Sequence, residues 1–183
     1  MNSLEEVPKQ LQEIFKSISI YCKSCDLCCF TYGWILPLEK EKYYDEELLE
    51  INQKVLCFDS FRKDSSGDRI LEEIPRCKFY KNNRCIIQNS KPFDCLLYPV
   101  KILYEQEEKR FKVVLSLDCP FVKSLTNSEL LKLEDDITEF FDNLDGKLLG
   151  GYLSLVKEWD QITKPKSFPS KLLMYIDEEG FDL

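Results

Sequence analysis

The chain predicts an α+β fold, with helices packed around a small antiparallel β-hairpin region and a cysteine-rich metal or cluster site. Three observations lead there. Apolar residues recur at helical spacing toward both ends of the 183 residues, β-like segments joined by turn residues fill the middle, and four of the nine cysteines crowd into Cys22-Lys-Ser-Cys25-Asp-Leu-Cys28-Cys29. The length suits one domain over 1–183, with a cysteine-rich core over about 20–122 and a C-terminal helical segment over about 126–164.

Leu4, Val7, Leu11, Ile14, Phe15 and Ile18 lie three or four residues apart, so the opening segment reads as an amphipathic helix that delivers Tyr21 and Cys22 to the site. The cysteine run reads as a turn and the start of a short helix. After Trp34-Ile35-Leu36, Pro37 suits a first helical turn, and the Glu/Lys-rich stretch through about Asn52 places Tyr44, Leu48 and Ile51 on one side of a helix. Ser65-Ser66-Gly67-Asp68 reads as an exposed loop. Asn82-Asn83 predicts a tight hairpin between Phe79-Tyr80 and Cys85-Ile86-Ile87, since asparagine tolerates the positive φ that such turns need. That hairpin would bring Cys77 and Cys85 to neighbouring strands.

Val100 to Tyr104 and Phe111 to Leu115, joined by polar Glu105 to Arg110, predict a second hairpin that leads Cys119 back toward the site. Thr126-Asn-Ser-Glu129 has capping-box spacing. Leu130, Leu133, Ile137, Phe140, Phe141 and Leu144 then repeat at helical intervals until Gly146. Leu149, Tyr152, Leu153, Val156 and Trp159 mark a second helix, ended by Lys164-Pro165, and these aromatic stripes read as packing. The tail from Phe168 to Leu183 reads as a docked extended arm, with a disordered end as the alternative.

The cysteines carry the chemistry. A C-x-x-C-x-x-C run turns three thiolates toward one centre, and a fourth ligand must come from elsewhere. The candidate ligands are Cys22, Cys25, Cys28, Cys29, Cys77, Cys85, Cys95 and Cys119; Cys57, in Val55-Leu56-Cys57-Phe58, reads as a small buried apolar residue. Disulfides and inert thiols are the competing readings. The N-terminal segment has no basic region followed by an apolar run, which speaks against secretion and hence against disulfides. Vicinal Cys28 and Cys29 could bond each other only with strain, and clustering speaks against scattered inert thiols. Three close thiolates with a remote fourth beside a proline match ferredoxin-type 4Fe-4S ligation, which is favoured. Paired knuckles closing on zinc remain the alternative, whereas all-sulfur ligation disfavours magnesium and calcium.

The order Cys22-x-x-Cys25-x-x-Cys28-Cys29, Cys77-x-Phe79, Cys85-x-Ile87, Pro92-x-x-Cys95-x-x-Tyr98-Pro99 and Cys119-Pro120, spanning about residues 22 to 120, resembles the CxxCxxCC family of zinc- or iron-chelating, iron-sulfur oxidoreductase-like proteins. It is also similar to the cysteine domain of flagellin lysine N-methylases, a resemblance that implies a 4Fe-4S cluster. The chain departs from that pattern at Asp26 for Gly, Gln88 for Tyr, Lys91 for Arg and Leu96 for Arg.

With no histidine there is no imidazole base, Ser-His or Cys-His pair, H-E-x-x-H protease or Rieske centre. There is no G-x-G-x-x-G and no P-loop, and the radical spacing C-x-x-x-C-x-x-C fails because counting from Cys25 and Cys29 lands on Tyr32. Asp135-Asp136 and Glu178-Glu179 are adjacent and point apart, as on a solvated face. A net charge of −8 argues against nucleic acid, and no apolar run approaches the roughly 20 residues of a membrane span. The resulting expectation is a cytoplasmic, cysteine-ligated metal-binding protein in a chelating or scaffold role, serving a protein or redox partner; the alternative is an iron-sulfur oxidoreductase that passes electrons to that partner.

Overall fold

Val7 and Leu11, one turn apart, bury the inner side of α1 (Val7–Ile14), which carries a proline in its first turn. The computed structural model describes residues 6–22, 25, 27–29, 33–46, 48–51, 55–60, 63–68, 76–162 and 168–181. One continuous opening helix is expected, but the chain turns at 15–17 before α2 (Ile18–Tyr21). Phe15 leaves helical geometry (φ −102°, ψ 33°) and packs edge-on against Phe121, with ring centroids 6.4 Å apart. Leu4 lies outside the described residues. A single 3-10 turn, Leu27–Cys29, follows as the short helix expected in the cysteine run.

The helix expected from Pro37 through about Asn52 is corrected. Only Pro37–Tyr43 is helical, as a 3-10 helix, and Tyr44 points into solvent. Leu48–Ile51 is instead a strand, β2, between β1 (Trp34–Ile35) and β3 (Val55–Phe58) in sequence but not in space. The sheet order is β1-β3-β2, antiparallel, with Trp34 and Leu49 both opposite Cys57. The apolar β3 needs a ladder on each edge, and that pairing overrides the weak helical preference of Glu and Lys. Asn82 (φ 51°) and Asn83 (φ 59°) make the expected turn between β4 (Tyr80–Lys81) and β5 (Arg84–Cys85). The short helix α3 (Phe93–Leu97) carries Cys95.

The second expected hairpin is present as β6 (Val100–Glu105) and β7 (Arg110–Ser116), with Val100 opposite Leu115 and Glu105 opposite Arg110. After α4 (Pro120–Ser124), the capping box opens α5 (Asn127–Asp142): the Glu129 N–H donates to Thr126 Oγ1 at 3.3 Å and the Thr126 N–H to Glu129 Oε2 at 2.8 Å. Gly146 does not end that helix. It is the first residue of α6 (Gly146–Ile162), where the Asp145 carboxylate accepts the N–H groups of Lys147 and Leu148 at 3.0 and 3.1 Å; an acceptor placed just before a helix satisfies its orphan donors. Lys164-Pro165 lies outside the described residues. The expected docked arm is β8 (Ser170–Asp177), paired with β7 in the order β6-β7-β8 with a register shift between Val113 and Val114.

Helices and antiparallel sheets together make the fold α+β. Two compact units result, one from Met1–Ile18 with Leu97–Leu183 and the other from Ser19–Leu96. The first buries Phe111, Val113, Leu115, Leu153 and Val156 completely. The second has a smaller core of Ile35, Tyr43, Leu56, Phe58 and Phe79, where the Tyr43 and Phe79 rings stand edge-on to Phe58 at 5.3 and 4.7 Å. Among the described residues no helix is long and apolar enough to cross a membrane.

Candidate metal centre

Within the Ser19–Leu96 unit, Cys22 at the end of α2, Cys25 in the following loop and Cys28 in the 3-10 turn lie on the wall of a cavity of about 410 Å³. Cys85 joins them because the Asn82-Asn83 turn folds β5 back, and Arg84 and Lys91 line the same cavity. Four thiols and two cations therefore face one space. Arg84 is exposed, so water screens it, whereas Lys91 is half-buried. Burial works against the Lys91 ammonium, but negative charge at Cys28, Cys85, Cys22 and Cys95 outweighs it and holds Lys91 above its ordinary range.

Cys77 sits next to this group, its carbonyl accepting the Tyr80 N–H at 3.0 Å. Burial pushes its thiol up, against a hydrogen bond from the Phe79 backbone, and negative charge at Cys85 and Cys28 pushes it further. Cys95 is pushed up well beyond an ordinary thiol, first by burial, then by Asp94, Cys28 and Cys77, with Lys91 opposing. Gly33 lets the chain pass close to it: at φ +57° a Cβ there would meet Phe58 at 3.0 Å and lie 4.0 Å from Cys95 Sγ. Glycine suits both the left-handed backbone and the close approach.

One segment fixes the stretch that runs from Lys91 on the cavity wall to Cys95. Glu39, only 4% exposed, accepts the Leu36 N–H at 3.2 Å and the Phe93 N–H at 2.9 Å, so a buried carboxylate caps the helix that carries Cys95. Burial raises the Glu39 pKa despite those two donors. The Tyr43 hydroxyl donates to the Ser90 carbonyl at 2.7 Å, Lys42 Nζ to the Lys91 carbonyl at 3.4 Å, and the Trp34 N–H to Asp94 Oδ2 at 3.4 Å. Residues 90–94 are thus tied from four points along 34–43.

Of the expected ligands, Cys22, Cys25, Cys28 and Cys85 share the cavity, with Cys77 and Cys95 beside them. The Cys29 side chain lies outside the described residues. Cys119 belongs to the other unit, buried at the head of α4 with its N–H donating to the Ser116 carbonyl at 3.4 Å. Cys57 is fully buried in β3, as its apolar neighbours predict. The eight described cysteines carry thiols. Glu39, Arg84 and Lys91 are not among the expected site residues; the only local signal for Lys91 is its place just before Pro92-x-x-Cys95.

Among the described residues no three Cys, Asp or Glu side chains converge closely enough to hold one metal ion. A tetrahedral zinc with Zn–S near 2.3 Å would need its sulfurs roughly 3.8 Å apart. The thiols instead spread over the wall of a space in the volume range of small-ligand sites, roughly 300 to 1,000 Å³. The four thiols among the lining residues suit soft metals, and the neighbouring cations offset thiolate charge. Four thiols on one cavity wall, with two cations beside them, make a donor set compatible with a thiolate-held group. Compared with protein-family models, with curated proteins and with solved structures, the chain matches none.

Proposed function

We propose that this chain is a cysteine-ligated metal-binding protein that carries a 4Fe-4S cluster in the cavity of the Ser19–Leu96 unit, in a chelating or scaffold role. The supporting observation is that Cys22, Cys25, Cys28 and Cys85 face one cavity without converging on a point. These four would be the ligands. Cys85 thus takes the remote position that Cys95, between Pro92 and Pro99, or Cys119, before Pro120, would otherwise fill. Ferredoxin-type ligation draws three thiolates from one short run and a fourth from a distant segment, and the resemblance to CxxCxxCC proteins agrees with that division.

When bound, such a cluster supplies one-electron exchange. The chain's own residues do the rest. The Asn82-Asn83 turn presents Cys85, and the segment 34–43 holds residues 90–94 in place. Reduced thiols suit a cytoplasmic location. A partner that receives the cluster or its electrons completes the reading.

Protein purified without oxygen tests this through iron, zinc and acid-labile sulfide content and visible absorption. About four iron and four sulfide per chain, with a colour that dithionite bleaches, are expected of a 4Fe-4S protein. Colourless protein with stoichiometric zinc would overturn the proposal. Cys22→Ser, Cys25→Ser and Cys85→Ser should each lose iron, while Cys57→Ser should keep it; normal iron in the first three would refute the ligand assignment.

A further inference from the structure

Lys91 is the one half-buried cation on the described wall of the cavity, facing Cys22, Cys25, Cys28 and Cys85, and Arg84, the other cation there, is exposed. Its backbone is held from outside the cysteine run. Lys42 Nζ donates to the Lys91 carbonyl, and the carbonyl of Ser90 and the N–H of Phe93 are each bonded by buried residues, Tyr43 and Glu39. Nearby Asp94 is engaged by the Trp34 N–H. A long flexible side chain anchored at its root in this way keeps its charge on the wall. Charge matters more in that setting than at the surface, because water screens a buried group less.

We infer that Lys91 is a positioning residue that supplies the fixed positive charge balancing the cavity thiolates, and that it thereby raises the reduction potential of the group they hold. This rests on the 4Fe-4S reading. One-electron reduction adds a negative charge to the group, and a nearby ammonium favours the more negative form. Removing it therefore lowers the potential. Lys91→Arg keeps the charge; Lys91→Gln removes it at similar length.

The test is spectroelectrochemical titration of the full-length protein, wild type and variants, with redox mediators and dithionite as the reductant. Lys91→Gln is expected to change the reduced-to-oxidised ratio at fixed potential about tenfold toward the oxidised form, about 59 mV for one electron. Lys91→Arg should titrate near wild type, and Arg84→Gln should shift less than Lys91→Gln. An unchanged Lys91→Gln potential, or equal shifts in Lys91→Gln and Lys91→Arg, would overturn the inference. Should Lys91→Gln fail to retain iron, retention in Lys91→Arg supports the role of charge, and loss in both refutes it. Wild type without iron refutes the cluster reading itself, an outcome separate from all of these.

Discussion

Glu39 shows how much a single side chain settles. Its two oxygens satisfy two backbone donors, Leu36 and Phe93, that would otherwise be buried without a carboxylate. Each unsatisfied buried donor costs roughly 1–3 kcal/mol, so Glu39→Ala should destabilise the protein by about 2–6 kcal/mol in urea unfolding. Glu39→Gln keeps one acceptor oxygen and should cost about half as much. A neutral result for the alanine variant would show that the carboxylate does not cap α3. The cysteines of the site are legible in the sequence because two-residue spacing is a local geometric fact. Glu39 and Lys91 are not, because one is a charged residue in a Lys/Glu-rich stretch and the other is identified by a cavity wall that only folding creates. That Cys85 rather than Cys95 lines the cavity likewise depends on which way a strand and a helix face, and spacing does not encode that.

At the scale of elements, local signals are reliable where a turn or cap forms its own contacts. The Asn82-Asn83 hairpin and the Thr126–Glu129 capping box are both legible for that reason, whereas β2 is not, since its identity depends on a partner strand. Thr126→Ala should cost roughly 0.5–2 kcal/mol by thermal unfolding. The tie between α6 and β6 makes a pH prediction. Asp160 accepts the Tyr104 N–H at 2.8 Å, and burial pushes its pKa up to about 6 from an ordinary value of 3.8. The folded state therefore binds this proton more tightly than the unfolded state does. Its stabilising effect is complete below about pH 4 and lost as pH rises through about 6, a change on the order of 3 kcal/mol. Asp160→Asn, which keeps an acceptor for Tyr104 without the charge, should flatten that part of the stability profile and raise stability at pH 7. An unaltered profile would refute it. The same end of the sheet holds Glu178, which accepts a hydrogen bond from the Tyr104 hydroxyl at 2.6 Å and pairs with Lys157; those partners lower its pKa.

For the whole molecule, the two units differ in what holds them. The one containing β6, β7, β8, α5 and α6 has a continuous apolar core, and Leu153→Ala at its fully buried centre should cost roughly 2–5 kcal/mol. The Ser19–Leu96 unit has a smaller apolar core around Phe58 and a cavity walled in part by thiols, so a bound metal would supply much of its folding energy. On the proposed 4Fe-4S reading, stripping iron should therefore deprotect amides of β1, β3 and α3 in hydrogen exchange while β7 and α6 stay protected. Uniform loss across both would refute this division. The fold class is legible in the sequence at this scale, but the division into units is not, because it arises from contacts between segments far apart in the chain. The bond from Phe93 to Glu39 reaches across 54 residues. During synthesis at roughly 5–20 residues per second, about 3–11 s separate the appearance of Glu39 from that of its partner. The first three thiols leave the ribosome earlier still, before the wall that faces them exists. On the proposed 4Fe-4S reading, cofactor delivery to this cavity would be a late event in the life of a nascent chain, and the interval before it is when its cysteines are most open to oxidation.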